Sequence, residues 1–143
     1  SIEYYGKAIK IDLEIGDRQS EGEWIGGLGN AYRTLRKLSN AIEHYQKAIK
    51  IAQEIGDKKN SSTWLNNLGD SFGDEKKYKE ALVCYLLAKD IRTQIEDSQL
   101  KTTVTNLKNL EKELGEKEFE KLVAEVKPKA QEIVKKILEG TSV

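Results

Sequence analysis

The sequence predicts an all-α solenoid of helix–turn–helix units. Two observations carry that reading: a repeat of constant period, and apolar residues spaced three and four apart within it. Residues 1–17 (SIEYYGKAIKIDLEIGD) match residues 41–57 (AIEHYQKAIKIAQEIGD) at 12 of 17 positions. Residues 81–97 keep Ala81, Tyr85, Ala88, Ile91, Ile95 and Asp97 at the same places. The upstream halves agree as well: Trp24 with Trp64, Leu28-Gly29 with Leu68-Gly69, Tyr32 with Phe72. The period is 40 residues, with no insertion. Stacked units of this kind bury a continuous core only through their neighbours.

Taken in order, residues 1–20 read as the second helix of a unit whose first half lies upstream, so the chain reads as a piece of a longer array. Residues 21–60 and 61–100 read as complete units, and 101–143 as a worn unit with a divergent capping helix. The spacing predicts a lone helix over about 2–15, then pairs over 21–35 and 38–55, and over 61–74 and 77–95. In the first pair, Ile25, Leu28, Tyr32 and Leu35 form one stripe; Ala41, Ile42, Tyr45, Ala48, Ile49 and Ala52 form the other. Residues 36–40 are left for the turn. Gly29 and Ala41 are small where the helices must approach, and Tyr32 and Tyr45 fill the space beside them. Gly56-Asp57 ends the second helix with a left-handed cap. Glu96 replaces that glycine one unit later, so a weaker cap is expected there. Val104, Leu107, Leu110 and Leu114 mark a further helix closed by Gly115. Residues 117–138 are amphipathic, with a kink or split expected at Pro128.

Bulk composition excludes several classes. Lys+Arg and Asp+Glu are both 24, so no net basic field points to nucleic acid. No apolar run approaches the length of a membrane span, and nothing at the start resembles a signal peptide. Cytoplasm is the expected compartment. Cys84 is the single cysteine and His44 the single histidine, so neither a disulfide within the chain nor a metal cluster is expected. No cofactor is expected. Gly26 to Gly29 lacks the preceding strand and the Lys-Ser/Thr of a phosphate loop. Asn60-Ser61-Ser62 is a formal glycosylation acceptor, without bearing on a cytoplasmic protein. No motif places a nucleophile beside a base, and the chain reads as a non-enzyme.

Leu28, Gly29, Tyr32, Ala41, Tyr45 and Ala48 stand at the spacing of a tetratricopeptide (TPR) unit, and the chain resembles that family. Residues 22–55 carry the pattern well and 62–95 acceptably. Residues 1–17 carry its second helix, and 101–138 only a faint copy. The usual proline after the second helix is replaced by Gln53 and Thr93, and six extra residues lengthen each unit. In this it is similar to the long-repeat branch found in kinesin light chains and bacterial arrays. The resemblance implies a right-handed α-solenoid whose first helices line a concave wall that grips peptides or helices.

By the family pattern, Gly26, Gly27, Asn30, Arg33, Asn66, Asn67 and Asp70 fall on that wall. Asn side chains both donate and accept, so Asn30, Asn66 and Asn67 suit a ligand backbone. Two glycines within a helix cost about 1 kcal/mol each relative to Ala. Gly26-Gly27 therefore implies either a close neighbouring helix or ligand access, with ligand access favoured. Chaperone-tail binding is disfavoured: Asn30 and Asn67 match its carboxylate clamp, but Gly26, Thr103 and Leu107 replace the cations.

The function implied is a scaffold that binds a protein or peptide partner, with no nucleic acid and no membrane. Self-association is the alternative, as a homodimer through the half-unit, whose strip Ile2, Tyr5, Ile9 and Ile15 lacks its own partner helix. A third possibility is that the C-terminal helix occupies the groove.

Overall fold

A computed structural model describes residues 2–141 and 143, with side chains from Glu14 onward. The element order is α1 (Ile2–Thr34), α2 (Leu38–Ile55), α3 (Lys58–Asp74), α4 (Tyr78–Gln94), α5 (Leu100–Leu114), α6 (Glu116–Val126), a 3-10 turn (Lys127–Lys129) and α7 (Ala130–Leu138). Successive helices pack on one another from α1 to α6, so the array is a helical solenoid. Among the described residues no helix is long and apolar enough to cross a membrane.

The unit repeats in atomic detail. A Cβ on Gly29 would stand 2.7 Å from the Tyr45 ring, and one on Gly69 would stand 2.7 Å from Tyr85. A side chain there would force the paired helices apart. Between first and second helices, Arg36 and Lys76 both adopt φ 62°. The turns close through Lys37 N to Tyr32 O and Lys77 N to Phe72 O, each 2.9 Å. After α2, Gly56 turns left-handed at φ 70°, and Asp57 caps α3 by accepting from the Asn60 amide. After α4, Glu96 takes the same left-handed turn at φ 53°, so the cap forms without a glycine.

One boundary differs from the sequence reading. The helices expected over 2–15 and 21–35 are a single helix, α1, running unbroken through Gly16. The Gly56 turn is held because α2 packs on both α1 and α3, so folding back buries both of its sides. Through Gly16 the continuing helix keeps its backbone hydrogen bonds. Of the strip Ile2, Tyr5, Ile9 and Ile15, the first three side chains lie outside the described ones, and Ile15 is exposed.

The C-terminal segment splits at Pro128 as expected, and the 3-10 turn sends α7 back over α2 and α4. This explains a departure from the repeat. Val83 and Leu87 stand where α2 has the exposed pair Glu43 and Lys47, yet both are buried. Over Ala81–Ala88 α4 is apolar all round, and α7 covers its outer side. Gln46 Nε2 donates to the Ile137 carbonyl at 2.8 Å and fixes the register of that cap.

Candidate functional site

The first helices α1, α3 and α5 stand side by side, α3 contacting both others. Their shared face is where the family pattern places a partner. α7 rests on the second helices, so the C-terminal helix does not fill this face. A hollow of about 400 Å³ opens on it, lined by Arg33, Asp70, Asp74, Tyr85, Asn106 and Leu110 among others.

The candidate residues divide into three groups. Gly26 is buried, and a Cβ there would lie 2.3 Å from the Trp64 indole. The glycine admits a neighbouring ring, so the reading of Gly26 as ligand access is corrected. Gly27 faces open space, with nothing within 4 Å of a Cβ.

Asn66 is also corrected. It is buried, and its Oδ1 accepts from Thr103 Oγ1 and Asn106 Nδ2, each at 3.1 Å. It joins α3 to α5 instead of facing a ligand.

Asn30, Asn67, Arg33 and Asp70 form a connected surface. Asn30 Oδ1 accepts from Tyr45 Oη and, at 3.1 Å, from Asn67 Nδ2. Among the described residues this leaves the Asn30 amide as a donor and the Asn67 carbonyl as an acceptor. Arg33 Nε donates to Asp74 Oδ2 at 3.1 Å, and its guanidinium stands 3.8 Å from Asp70. Arg36 shares the same Asp74 oxygen at 3.2 Å. The two arginines are therefore engaged by carboxylates, which suits a neutral ligand backbone better than an anionic tail.

The acceptor of the tyrosine hydroxyl differs between the two units. Tyr45 donates to Asn30, and Tyr85 donates to Asp70 Oδ1. Burial pushes the Tyr45 hydroxyl up to about 12, against the pull of Arg33, so it stays a donor. Burial also raises the Asp70 carboxyl above the usual carboxylate range, partly countered by the Tyr85 bond and Arg33.

Sequence reasoning missed Arg92. It stands 40 residues after Ala52, at a core position, and is 4% exposed. Its guanidinium donates to Thr103 Oγ1 at 2.7 Å and to the Gln99 carbonyl at 3.2 Å, and burial lowers its pKa. The signal was present as a charge at a position that the preceding unit fills with a small apolar residue.

His44 Nδ1 stands 2.8 Å from the Asn40 carbonyl, and its ring centroid is 4.9 Å from that of Tyr32. Cys84 is wholly buried, and burial pushes its thiol up.

A family model described as Tetratricopeptide repeat matches residues 23–94, half of the chain. No curated protein and no solved structure matches it.

Proposed function

Because the chain belongs to the tetratricopeptide repeat family, we propose that the wall formed by α1, α3 and α5 holds an extended segment of a partner protein. Repeats of this family generally mediate protein–protein interaction. The observation that carries the reading is the Asn30–Asn67 pair. It spans two units and offers one amide donor and one carbonyl acceptor on the face that α7 leaves open. A peptide unit carries the matching acceptor and donor. Gly27 beside the pair gives a ligand backbone room to approach. Arg33, Asp70 and the adjoining hollow then read side chains along the segment.

The test uses the intact chain as bait, with captured partners identified by mass spectrometry and their affinities measured by calorimetry. Asn67→Leu and Gly27→Trp are expected to weaken a genuine partner about tenfold or more, with unchanged helical content. Equal affinity for both variants and the parent would sink the proposal. Asn30 is a poorer probe, because its replacement also strands the Tyr45 hydroxyl.

Self-association is the second reading, favoured by one observation: Trp24 is 69% exposed. A bare indole on a first helix marks an uncovered packing surface.

A further inference from the structure

We infer that the α3–α5 junction is a joint that opens: α5 parts from α3 in the folded chain, driven by the buried guanidinium of Arg92, while α1 and α3 stay closed. The joint lies under the proposed wall, and its opening is read on the chain alone. Failure of the wall reading therefore leaves the inference standing.

The two junctions between first helices occupy equivalent places in the 40-residue period, yet their chemistry is opposite. Where α1 meets α3, Gly26 and Ala52 are small and buried, and the Trp64 indole lies over the glycine. Where α3 meets α5, Asn66 replaces Gly26, Arg92 replaces Ala52 and Val104 replaces Trp64. Two side chains grow and one shrinks, and an apolar contact gives way to a polar one. Arg92 Nη1 donates to Thr103 Oγ1, which donates to Asn66 Oδ1, and Asn106 Nδ2 donates to the same oxygen. One chain of hydrogen bonds thus ties α4, α5 and α3.

The charge at its head is uncompensated. Arg92 enters no ion pair among the described residues, and its Nε has no acceptor among them. A guanidinium held out of water without a counter-ion destabilises the closed arrangement. Opening hydrates it. Apolar burial opposes opening only weakly: α5 buries Leu107 and Leu110, whereas α3 buries Trp64, Leu65, Leu68 and Phe72. Turns flank α5 on both sides, residues 95–99 before it and Gly115 after it. That glycine stands at φ 88° with nothing within 4 Å of a Cβ. Little apolar burial, a charge relieved by water and two flanking turns place α5 among the segments that open at low free energy.

Opening changes the wall. The hollow of about 400 Å³ has Asp70 and Asp74 on its α3 side, and Asn106, Leu110 and Glu113 on its α5 side. This joint sets its width, so a segment seated there selects one of the two states.

Thiol labelling of the full chain under native conditions tests the joint, with the rate at each site read by mass spectrometry. Cys84, wholly buried in α4, reports global unfolding. Leu107→Cys puts a second thiol under α5, and Leu68→Cys, in a separate chain, puts one under α3. The thiol at position 107 is expected to react at least about tenfold faster than Cys84, and the one at position 68 in step with Cys84. Arg92→Met keeps an unbranched side chain and removes its charge. It strands no partner, since Thr103 keeps its bond to Asn66 and the Gln99 carbonyl keeps the Thr102 amide. Added to Leu107→Cys, it is expected to slow labelling at position 107 about tenfold. Position 107 in step with Cys84, or position 68 as fast as position 107, overturns the inference. So does labelling at position 107 that Arg92→Met leaves unchanged or speeds, which would show the guanidinium holding the joint shut. Leu110→Cys repeats the measurement on the same helix should Leu107→Cys fail to fold.

Discussion

The indole of Trp64 lies across Gly26 so closely that a single added carbon on the glycine would stand 2.3 Å from the ring. One residue on, Gly27 faces open space. The two adjacent glycines should therefore respond to alanine with opposite sign. Gly26→Ala must displace a buried ring, which costs about 1–3 kcal/mol against a helix gain of about 1. Gly27→Ala has only the gain and should raise stability by up to about 1 kcal/mol. Urea unfolding of both variants decides it; equal shifts would show that Trp64 does not depend on Gly26.

Asp70 and Asn30 accept the same tyrosine bond in successive units, one charged and one neutral. Burial raises the folded-state pKa of Asp70 above its ordinary value of 3.8. Its contribution to stability is therefore full below the unfolded pKa and is lost as pH rises through the folded pKa. Asp70→Asn removes that loss. The stability of the variant relative to the parent is expected to increase from about pH 3.8 upward, read from urea unfolding at a series of pH values. A difference that stays constant with pH would contradict the raised pKa.

Glu96 holds the left-handed turn that Gly56 makes one unit earlier, at φ 53° against 70°. An L side chain there costs about 1–2 kcal/mol, and glycine gives back about 0.4–1 through the unfolded chain. Glu96→Gly is expected to raise stability by about 0.5–1 kcal/mol. The paired change Gly56→Glu should lower it, and thermal unfolding of the two checks the sign.

Ile137 is buried where α7 covers α2 and α4. Ile137→Ala should cost about 2–4 kcal/mol by leaving a cavity under the cap. Because α7 lies on the second helices, the affinity of a partner on the first-helix wall should not change. A rise in that affinity on loosening α7 would show that the cap regulates the wall.

The period and its packing residues were legible from the chain alone. Gly29 with Tyr45 and Gly69 with Tyr85 are local to one hairpin, and helical spacing places them on facing stripes. The split at Pro128 was legible for the same reason, since proline acts on its own helix. The site was legible only as a face. Asn30, Asn66 and Asn67 look alike in sequence, and spacing cannot show that Thr103 and Asn106 arrive over Asn66 from the next unit.

What the sequence by itself determined is the unit: which side chains pair within a hairpin, and that the hairpins stack at a fixed interval. Tertiary structure decided what lies across each face. It assigned Gly26 to Trp64 and left Gly27 open, sank Asn66 into the α3–α5 contact, and laid α7 over the second helices. It also carried α1 straight through Gly16, although Gly56 in the same local sequence turns. A helical pattern specifies direction around an axis. Whether a turn forms, or a polar residue stays free, depends on the surface brought against it from another part of the chain.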